Sequence, residues 1–156
     1  MALRLRAPNS QDWDAILRCA NASLPWQPKG NDEWLQNRMQ FDAGKFKRRH
    51  YVVEDDAQIV AYGSIEGGPI PERYRVFIVM DARLLPTVGE ILYQQLENDL
   101  NLLGASIAWV REEARDTNVL DFFRNRGFVG EKSYRTPDGL EVVTLERLLH
   151  AAQPHS

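Results

Sequence analysis

A strand, a helix and a second strand follow one another with short connections in the middle of the chain. Residues 76–80 (VFIVM) form an unbroken apolar run, which is typical of a strand buried on both faces of a sheet. Residues 106–110 (SIAWV) predict the second strand. Because parallel strands need such a crossover, and the crossover is right-handed, this stretch predicts a β-α-β unit.

The helix between these strands has signals at both ends. Thr87 and Glu90 match a capping box, which predicts that the helix begins at Thr87, and Gly104 ends it. Its apolar residues recur every three or four positions: Val88, Ile91, Leu92, Leu96, Leu100 and Leu103. Sheets of this kind bind anions where a helix begins beyond the carboxyl end of a buried strand. We therefore expect the functional site at the start of this helix.

Composition places the chain among compact globular proteins. Of its 156 residues, 44% are apolar and 26% are charged. We expect one domain over residues 1–149 and a disordered tail over residues 150–156. The net charge of −3 favours neither nucleic acid nor an anionic membrane as a partner. A single cysteine, Cys19, together with the absence of a signal-peptide core and of a membrane-length apolar run, predicts a cytoplasmic protein.

The remaining segments predict the element order β-α-α-β-β-β-α-β-α-β-β. The strands outside the β-α-β unit are expected at residues 3–6, 50–54, 58–66, 128–134 and 140–148. The helices are expected after Asn9, after Asn31 and from Asp116 to Gly127.

Two local patterns resemble those of a known family. Residues 122–128 (FFRNRGF) look like a helix-to-strand signature in which an aromatic pair precedes Gly-Phe, and residues 79–89 occupy the place of a pyrophosphate-binding loop. Together with the element order, they make the chain similar to the GNAT (GCN5-related N-acetyltransferase) superfamily. The resemblance implies an α/β (mixed α+β) fold: a central mixed, mostly antiparallel sheet with a β-α-β coenzyme A-binding core and helices on both faces.

The resemblance also implies acetyl-CoA as co-substrate. In the family's loop, three positions hold Arg or Gln, then Gly, then Gly or Ala. The corresponding residues of this chain are Leu84, Thr87 and Gly89, and only Gly89 matches the pattern. Glycines there let backbone N–H groups reach the phosphates. The cofactor-binding residues that it implies are Phe77, Ile78, Val79, Leu84, Leu85, Thr87, Val88, Gly89, Asp116, Phe122 and Phe123. The alternative for residues 87–90 is an ordinary capped helix.

Acetyl transfer to an amine needs a neutral amine, donors for the developing oxyanion and a proton for the leaving thiolate. The family's frequent tyrosine acid corresponds to Phe123, which has no proton to give. The candidate bases are Glu66 and either Glu112 or Glu113, and the alternative is that they are solvated rim charges. Tyr134 and Tyr93 are candidate proton donors, with packing as the alternative.

We expect the acceptor to be an amine of a small molecule or peptide, with Trp26 lining its pocket. A catalytically impaired acyl-CoA-binding, regulatory or interaction module of the same fold is the alternative. The hypothesis that the chain is a nucleic-acid-binding domain depends only on the basic run at residues 45–50. A solvated strand edge is the simpler interpretation of that run. His50, His150 and His155 lack metal-ligand spacing, so no metal is expected. A monomer or homodimer, without nucleic acid or membrane, is expected.

Overall fold

The computed structural model of the chain describes residues 2–23, 47–137 and 139–149. The predicted loop and second helix between residues 24 and 46, Trp26 within them, and the predicted tail from residue 150 lie outside the described residues. No helix in the described part is long and apolar enough to cross a membrane.

Seven strands form one sheet in the order β1-β2-β3-β4-β5-β7-β6. The strands are β1 (Leu3–Arg6), β2 (Arg48–Asp55), β3 (Gln58–Gly67), β4 (Arg73–Met80), β5 (Ile107–Glu113), β6 (Val129–Arg135) and β7 (Glu141–Leu148). All neighbouring strands are antiparallel except β4 and β5, which are parallel. The mixed, mostly antiparallel sheet and the β-α-β unit that the sequence predicts are therefore confirmed.

Three α-helices lie in the described part of the chain: α1 (Trp13–Ser23), α2 (Glu90–Leu102) and α3 (Thr117–Arg124). A short 3₁₀ turn precedes α1, and Asn9 caps it as predicted, because its side chain accepts a hydrogen bond from the Gln11 N–H. The Asp12 carboxylate accepts one from the Asn9 N–H at 2.8 Å, which completes a capping box. Gly104 and Gly127, which follow α2 and α3, have φ angles of +75° and +91° that favour glycine.

Helices cover both faces of the sheet, as predicted. Helix α1 packs through Ile16, Cys19 and Ala20 against Tyr62 and Phe77. On the other face, α2 and α3 form the larger core cluster with the sheet, which includes Leu92, Leu96, Leu100, Leu120, Phe123, Ile65, Val76, Ile78, Ala108 and Val110. Burial of these apolar side chains is the main favourable contribution to folding. One member of the predicted stripe, Ile91, is instead 41% exposed.

The predicted beginning of the helix at Thr87 is wrong. The chain winds into a 3₁₀ turn at Ala82–Leu84 and a π-helical turn at Leu85–Gly89, which run directly into α2. Asp81 is the cap, because its carboxylate accepts a hydrogen bond from the Arg83 N–H at 3.0 Å. The Thr87 hydroxyl lies within the winding and donates to the Leu84 carbonyl at 3.4 Å, so it caps nothing.

Candidate active site

Strands β4 and β5 diverge along their length. They pair at only three positions, of which the last joins Arg75 to Trp109, although β4 continues to Met80 and β5 to Glu113. Beyond this pair, the edge of β4 at residues 77–79 faces a wedge-shaped gap, while its other edge remains paired with β3. The splayed strand end that the family resemblance implies is therefore present. Backbone N–H and C=O groups along the edge of a strand can pair with an extended ligand.

A cleft of about 390 Å³ lies between the turns that follow β4 and helix α3. It is lined by Ala82, Leu85, Pro86, Asn118, Asp121, Phe122, Asn125 and Arg126. Two amide side chains and one guanidinium provide hydrogen-bond donors, and the proline and the phenylalanine ring provide apolar surface. Because the cleft lies beyond the carboxyl end of β4, it continues the path that the gap between the strands opens.

The residues expected to bind the cofactor occupy different environments. Leu85 and Phe122 line the cleft, whereas Phe123 is fully buried and packs against Tyr93 and Phe128, with ring centroids 6.2 and 5.1 Å away. Gly89 is buried as well. The remaining expected residues divide into the buried Phe77, Ile78, Val79, Val88 and Asp116, the half-buried Leu84 and the exposed Thr87. Their cofactor contacts stay a prediction.

Arg126, which the sequence reasoning missed, forms one wall of the cleft. Its guanidinium lies 3.5 Å from the centroid of the Phe122 ring and donates to the Phe122 carbonyl at 2.9 Å. It also pairs with Glu90, the residue predicted to complete the capping box. Burial lowers the pKa of Arg126, but an arginine in such an ion pair stays charged. The arginine ties the start of α2 to the end of α3.

Glu66 lies where the two strands begin to separate. It is 6% exposed, and the Ser64 hydroxyl donates to its Oε1 at 3.4 Å. Across the sheet it pairs with Arg75, which is the last residue of β4 to pair with β5. Of the predicted bases, Glu66 is thus the one at the root of the gap.

The other predicted catalytic residues lie further along the sheet. Glu112 is buried on the face of the sheet opposite to the one that carries Glu66. Glu113 forms an ion pair with Arg115 at 3.0 Å. Tyr134 is 47% exposed on the edge strand β6, which β7 separates from β5. Tyr93 lies in the core, where its hydroxyl accepts a hydrogen bond from Arg147 at 2.6 Å and burial raises its pKa to about 12. Their catalytic roles stay predictions.

Trp109 is surrounded by arginines on the face of the sheet that carries Glu66. The guanidinium carbons of Arg73, Arg75 and Arg111 lie 5.3, 5.5 and 5.4 Å from its ring centroid. Arg111 also lies 5.8 Å from the ring of Tyr134. We call these five residues the arginine–tryptophan face. Arg73 and Arg75 alternate along β4, as Trp109 and Arg111 do along β5, and this alternation was the sequence signal for the face, but only strand pairing brings the two sets together.

No cluster of three or more His, Cys, Asp or Glu side chains suited to a metal ion occurs among residues 2–23, 47–137 and 139–149.

Comparison with solved structures identifies the fold. No protein-family model matches the sequence, and no curated protein sequence matches it. A GCN5-related N-acetyltransferase from Kribbella flavida is 18% identical, with a TM-score of 0.72 over 95% of this chain and 98% of that one. YncA from Salmonella typhimurium, solved with acetyl-CoA, is 14% identical, with a TM-score of 0.74 over 100% and 97%.

The ribosomal-protein-S18-alanine N-acetyltransferase from Escherichia coli is 13% identical, with a TM-score of 0.74 over 99% of both chains. These structural neighbours are acetyltransferases, and each matches this chain over nearly its whole length. The strand order, the gap between β4 and β5 and these similarities agree with one another, and the chain has the fold of the GNAT superfamily.

Proposed function

We propose that the protein is an N-acetyltransferase that transfers an acetyl group from acetyl-CoA to an amine of a small molecule or peptide. The observation that carries the proposal is the divergence of β4 and β5 after Arg75 and Trp109, next to the cleft beside α3. YncA, a neighbour with the same fold, was solved with acetyl-CoA. A shared fold alone does not establish a shared reaction, and the residues of the site supply the further support for this one.

The residues fit the cofactor in two places. Beyond Arg75, the edge of β4 that faces β5 can pair with an extended amide-containing arm such as pantetheine. In the cleft, Asn118, Asn125 and Arg126 can donate to phosphate oxygens. The turn before α2 fits less well than the family's loop does, since Pro86 has no N–H and the Asp81 carboxylate already accepts from the Arg83 N–H.

Acetyl-CoA, when bound, supplies a thioester whose carbonyl carbon accepts the amine lone pair, so that a C–N bond forms and the C–S bond breaks. Backbone N–H groups of β4 beyond Arg75 would donate to the thioester carbonyl oxygen and stabilise negative charge there. Glu66 takes the proton that the amine nitrogen loses, directly or through a water molecule. Phe123 has no proton to give to the leaving group. Because the pKa of the coenzyme A thiol is roughly 8.5, coenzyme A can leave as the thiolate and then take a proton from water.

Thermal unfolding with and without acetyl-CoA tests cofactor binding, and thiol release in the presence of a panel of amines tests transfer. A ligand at a hundredfold excess over its Kd adds about 2.7 kcal/mol to the free energy of unfolding, which shifts Tm by about 5–11 °C in a domain of this size. Asn118→Trp fills the cleft and should remove the shift. Asn98→Trp, on the exposed side of α2, is the matched control and should keep it.

Two results would change the proposal. If acetyl-CoA at millimolar concentration leaves Tm unchanged, the site does not hold the cofactor and the enzyme proposal fails. If acetyl-CoA binds in the cleft but no amine in the panel is acetylated, the protein is an acyl-CoA-binding module. The burial of Phe123 in the core, where the family often places a tyrosine acid, is the observation that favours this second function.

A further inference from the structure

We propose that the acceptor is an amine bearing a carboxylate, as a free α-amino acid does, and that Arg111 binds this carboxylate on the arginine–tryptophan face. The inference rests on the proposed function and specifies the substrate class of the same site.

The face lies beside the gap between β4 and β5. Residues two apart on a strand point to the same side of a sheet, so Arg73 and Arg75 on β4 share a side, as do Trp109 and Arg111 on β5. Because Arg75 and Trp109 form the last pair between the two strands, Arg111 lies just beyond the point where they separate. A ligand bound by Arg111 is therefore held next to the gap into which the edge of β4 opens.

The charges of the face are unevenly compensated. Arg73 forms an ion pair with Glu146, and Arg75 lies opposite Glu66 in the strand register. Arg111 is exposed, and within the described part of the chain its guanidinium contacts the rings of Trp109 and Tyr134 but no carboxylate. Its direct cross-strand neighbours are Thr144 on β7 and, beyond it, Lys132 on β6. The nearest carboxylates on the same face of β5 and β7, Glu113 and Glu146, form ion pairs with Arg115 and Arg73.

A carboxylate matches this arrangement. Among the residues that the structure describes, no carboxylate pairs with the Arg111 guanidinium, which suits a ligand group with a single negative charge. Its planar fork matches the two oxygens of a carboxylate. The rings of Trp109 and Tyr134 on either side of Arg111 offer apolar surface to the rest of the acceptor. The protein as a whole carries a net charge of −3, so this attraction to an anion is local to the face.

The carboxylate position also orients the amine. In an α-amino acid the amine lies one carbon away from the carboxylate, so an acceptor held at Arg111 can turn its nitrogen towards the gap and Glu66. The transfer step is unchanged from the proposed function: the C–N bond forms, the C–S bond breaks and the base takes the amine proton. The carboxylate takes no part in the reaction and only positions the nitrogen.

The test compares acceptors that differ only in the carboxylate. Each standard L-amino acid and its carboxamide are assayed by thiol release with the wild type, Arg111→Gln and Arg4→Gln. Arg4 is exposed on β1 at the far edge of the sheet, so its variant makes the same change in net charge away from the site. We expect Arg111→Gln to reduce kcat/KM by about 10- to 100-fold for the preferred amino acid, as loss of a charged hydrogen bond does, and by less than about twofold for its carboxamide.

Arg111→Lys keeps the positive charge but lacks the planar guanidinium. Its kcat/KM for the amino acid should therefore lie between those of Arg111→Gln and the wild type. The same acceptor pairs are also titrated calorimetrically into the protein saturated with coenzyme A. Selective weakening of amino acid binding by Arg111→Gln supports the inference even without turnover.

Equal losses for acid and carboxamide, equal effects of Arg4→Gln, or no acceptor binding at all would overturn it. Failure of acetyl-CoA to bind the wild type would instead overturn the proposed function, so the two failures are distinguishable.

Discussion

Gly89 lies directly against the ring of Phe122. A Cβ atom on Gly89 would be 3.1 Å from Cε1 of that ring and 3.4 Å from a methyl group of Leu85. The backbone of Gly89 is helical, with φ −58°, so no unusual conformation requires glycine here. The glycine is needed for the close approach of α2 to α3, and its space is filled by a core side chain.

Replacing Gly89 with leucine should therefore destabilise the protein by about 1–3 kcal/mol through overpacking. In a Phe122→Ala background the added side chain occupies the vacated space, so the penalty for Gly89→Leu should shrink. Urea unfolding of the wild type, both single variants and the double variant measures this coupling. Gly68→Leu, at a position with no neighbour within 4 Å, is the control. Additive losses in the cycle would contradict the packing explanation.

Tyr51→Phe should reduce the free energy of unfolding by about 2 kcal/mol, because Asp99 loses a charged hydrogen bond. The Tyr51 hydroxyl donates to the carboxylate of Asp99, which is 2% exposed, and Gln95 donates to the other oxygen at 3.2 Å. Adding Asp99→Leu should recover part of the loss, since it removes the buried charge. Urea unfolding measures both effects.

Tyr74→Phe is the matched control for this pair. Tyr74 is also in the sheet and, at 5% exposed, is more buried than Tyr51, and its hydroxyl forms no hydrogen bond with residues 2–23, 47–137 or 139–149. Its substitution should change stability by less than about 0.5 kcal/mol. A loss as large as that of Tyr51→Phe would show that burial of the hydroxyl, and not its bond to Asp99, determines the effect.

His50 should make the protein less stable at mildly acidic pH. Burial, reinforced by the charge of Arg48, lowers the pKa of His50 to about 4, and its Nδ1 lies 3.1 Å from the Tyr62 hydroxyl. Between pH 6.5 and about 4, the unfolded chain binds a proton that the folded protein does not, so stability is full above pH 6.5 and falls as the pH is lowered.

After allowance for the partial exposure of the ring, we expect a loss of about 1–2 kcal/mol from this group. Urea unfolding at pH 7.5 and at pH 4.5 measures it in the wild type and in His50→Gln, which should lack this part of the pH dependence. The carboxylates titrate alike in both proteins and cancel. Parallel losses in the two would mean that His50 is protonated freely in the folded state.

Glu66→Gln should lower kcat by about 10²- to 10⁴-fold if Glu66 is the general base, and leave the acetyl-CoA-induced rise in Tm unchanged. The acidic limb of the pH dependence of kcat/KM should disappear with it. Asp56→Asn, in the exposed turn between β2 and β3, removes one negative charge far from the gap and is the control. If Glu113→Gln shows the larger loss, the base lies on β5 and the role assigned to Glu66 is wrong.

Most of the fold follows from local patterns in the sequence. The apolar run at residues 76–80, the stripe of α2 and the glycines after α2 and α3 report burial, periodicity and backbone conformation, which neighbouring residues largely determine. The sheet and the helices on both of its faces were therefore predictable. The beginning of the helix near Thr87 was not, because Asp81 and Thr87 are both acceptable caps and local sequence does not decide between them.

The sequence by itself determined the β-α-β unit, the buried strand that leads to the gap and the order of the elements within residues 2–23, 47–137 and 139–149. Only the tertiary structure decided what surrounds each polar group. Glu90 pairs with Arg126, 36 residues later, instead of closing a capping box. Trp109 contacts the arginines of β4 because β4 and β5, which are distant in sequence, pair next to these residues. Periodicity can be recognised from neighbouring residues alone. Contacts and burial depend on which distant segments pack together, so they are properties of the whole chain.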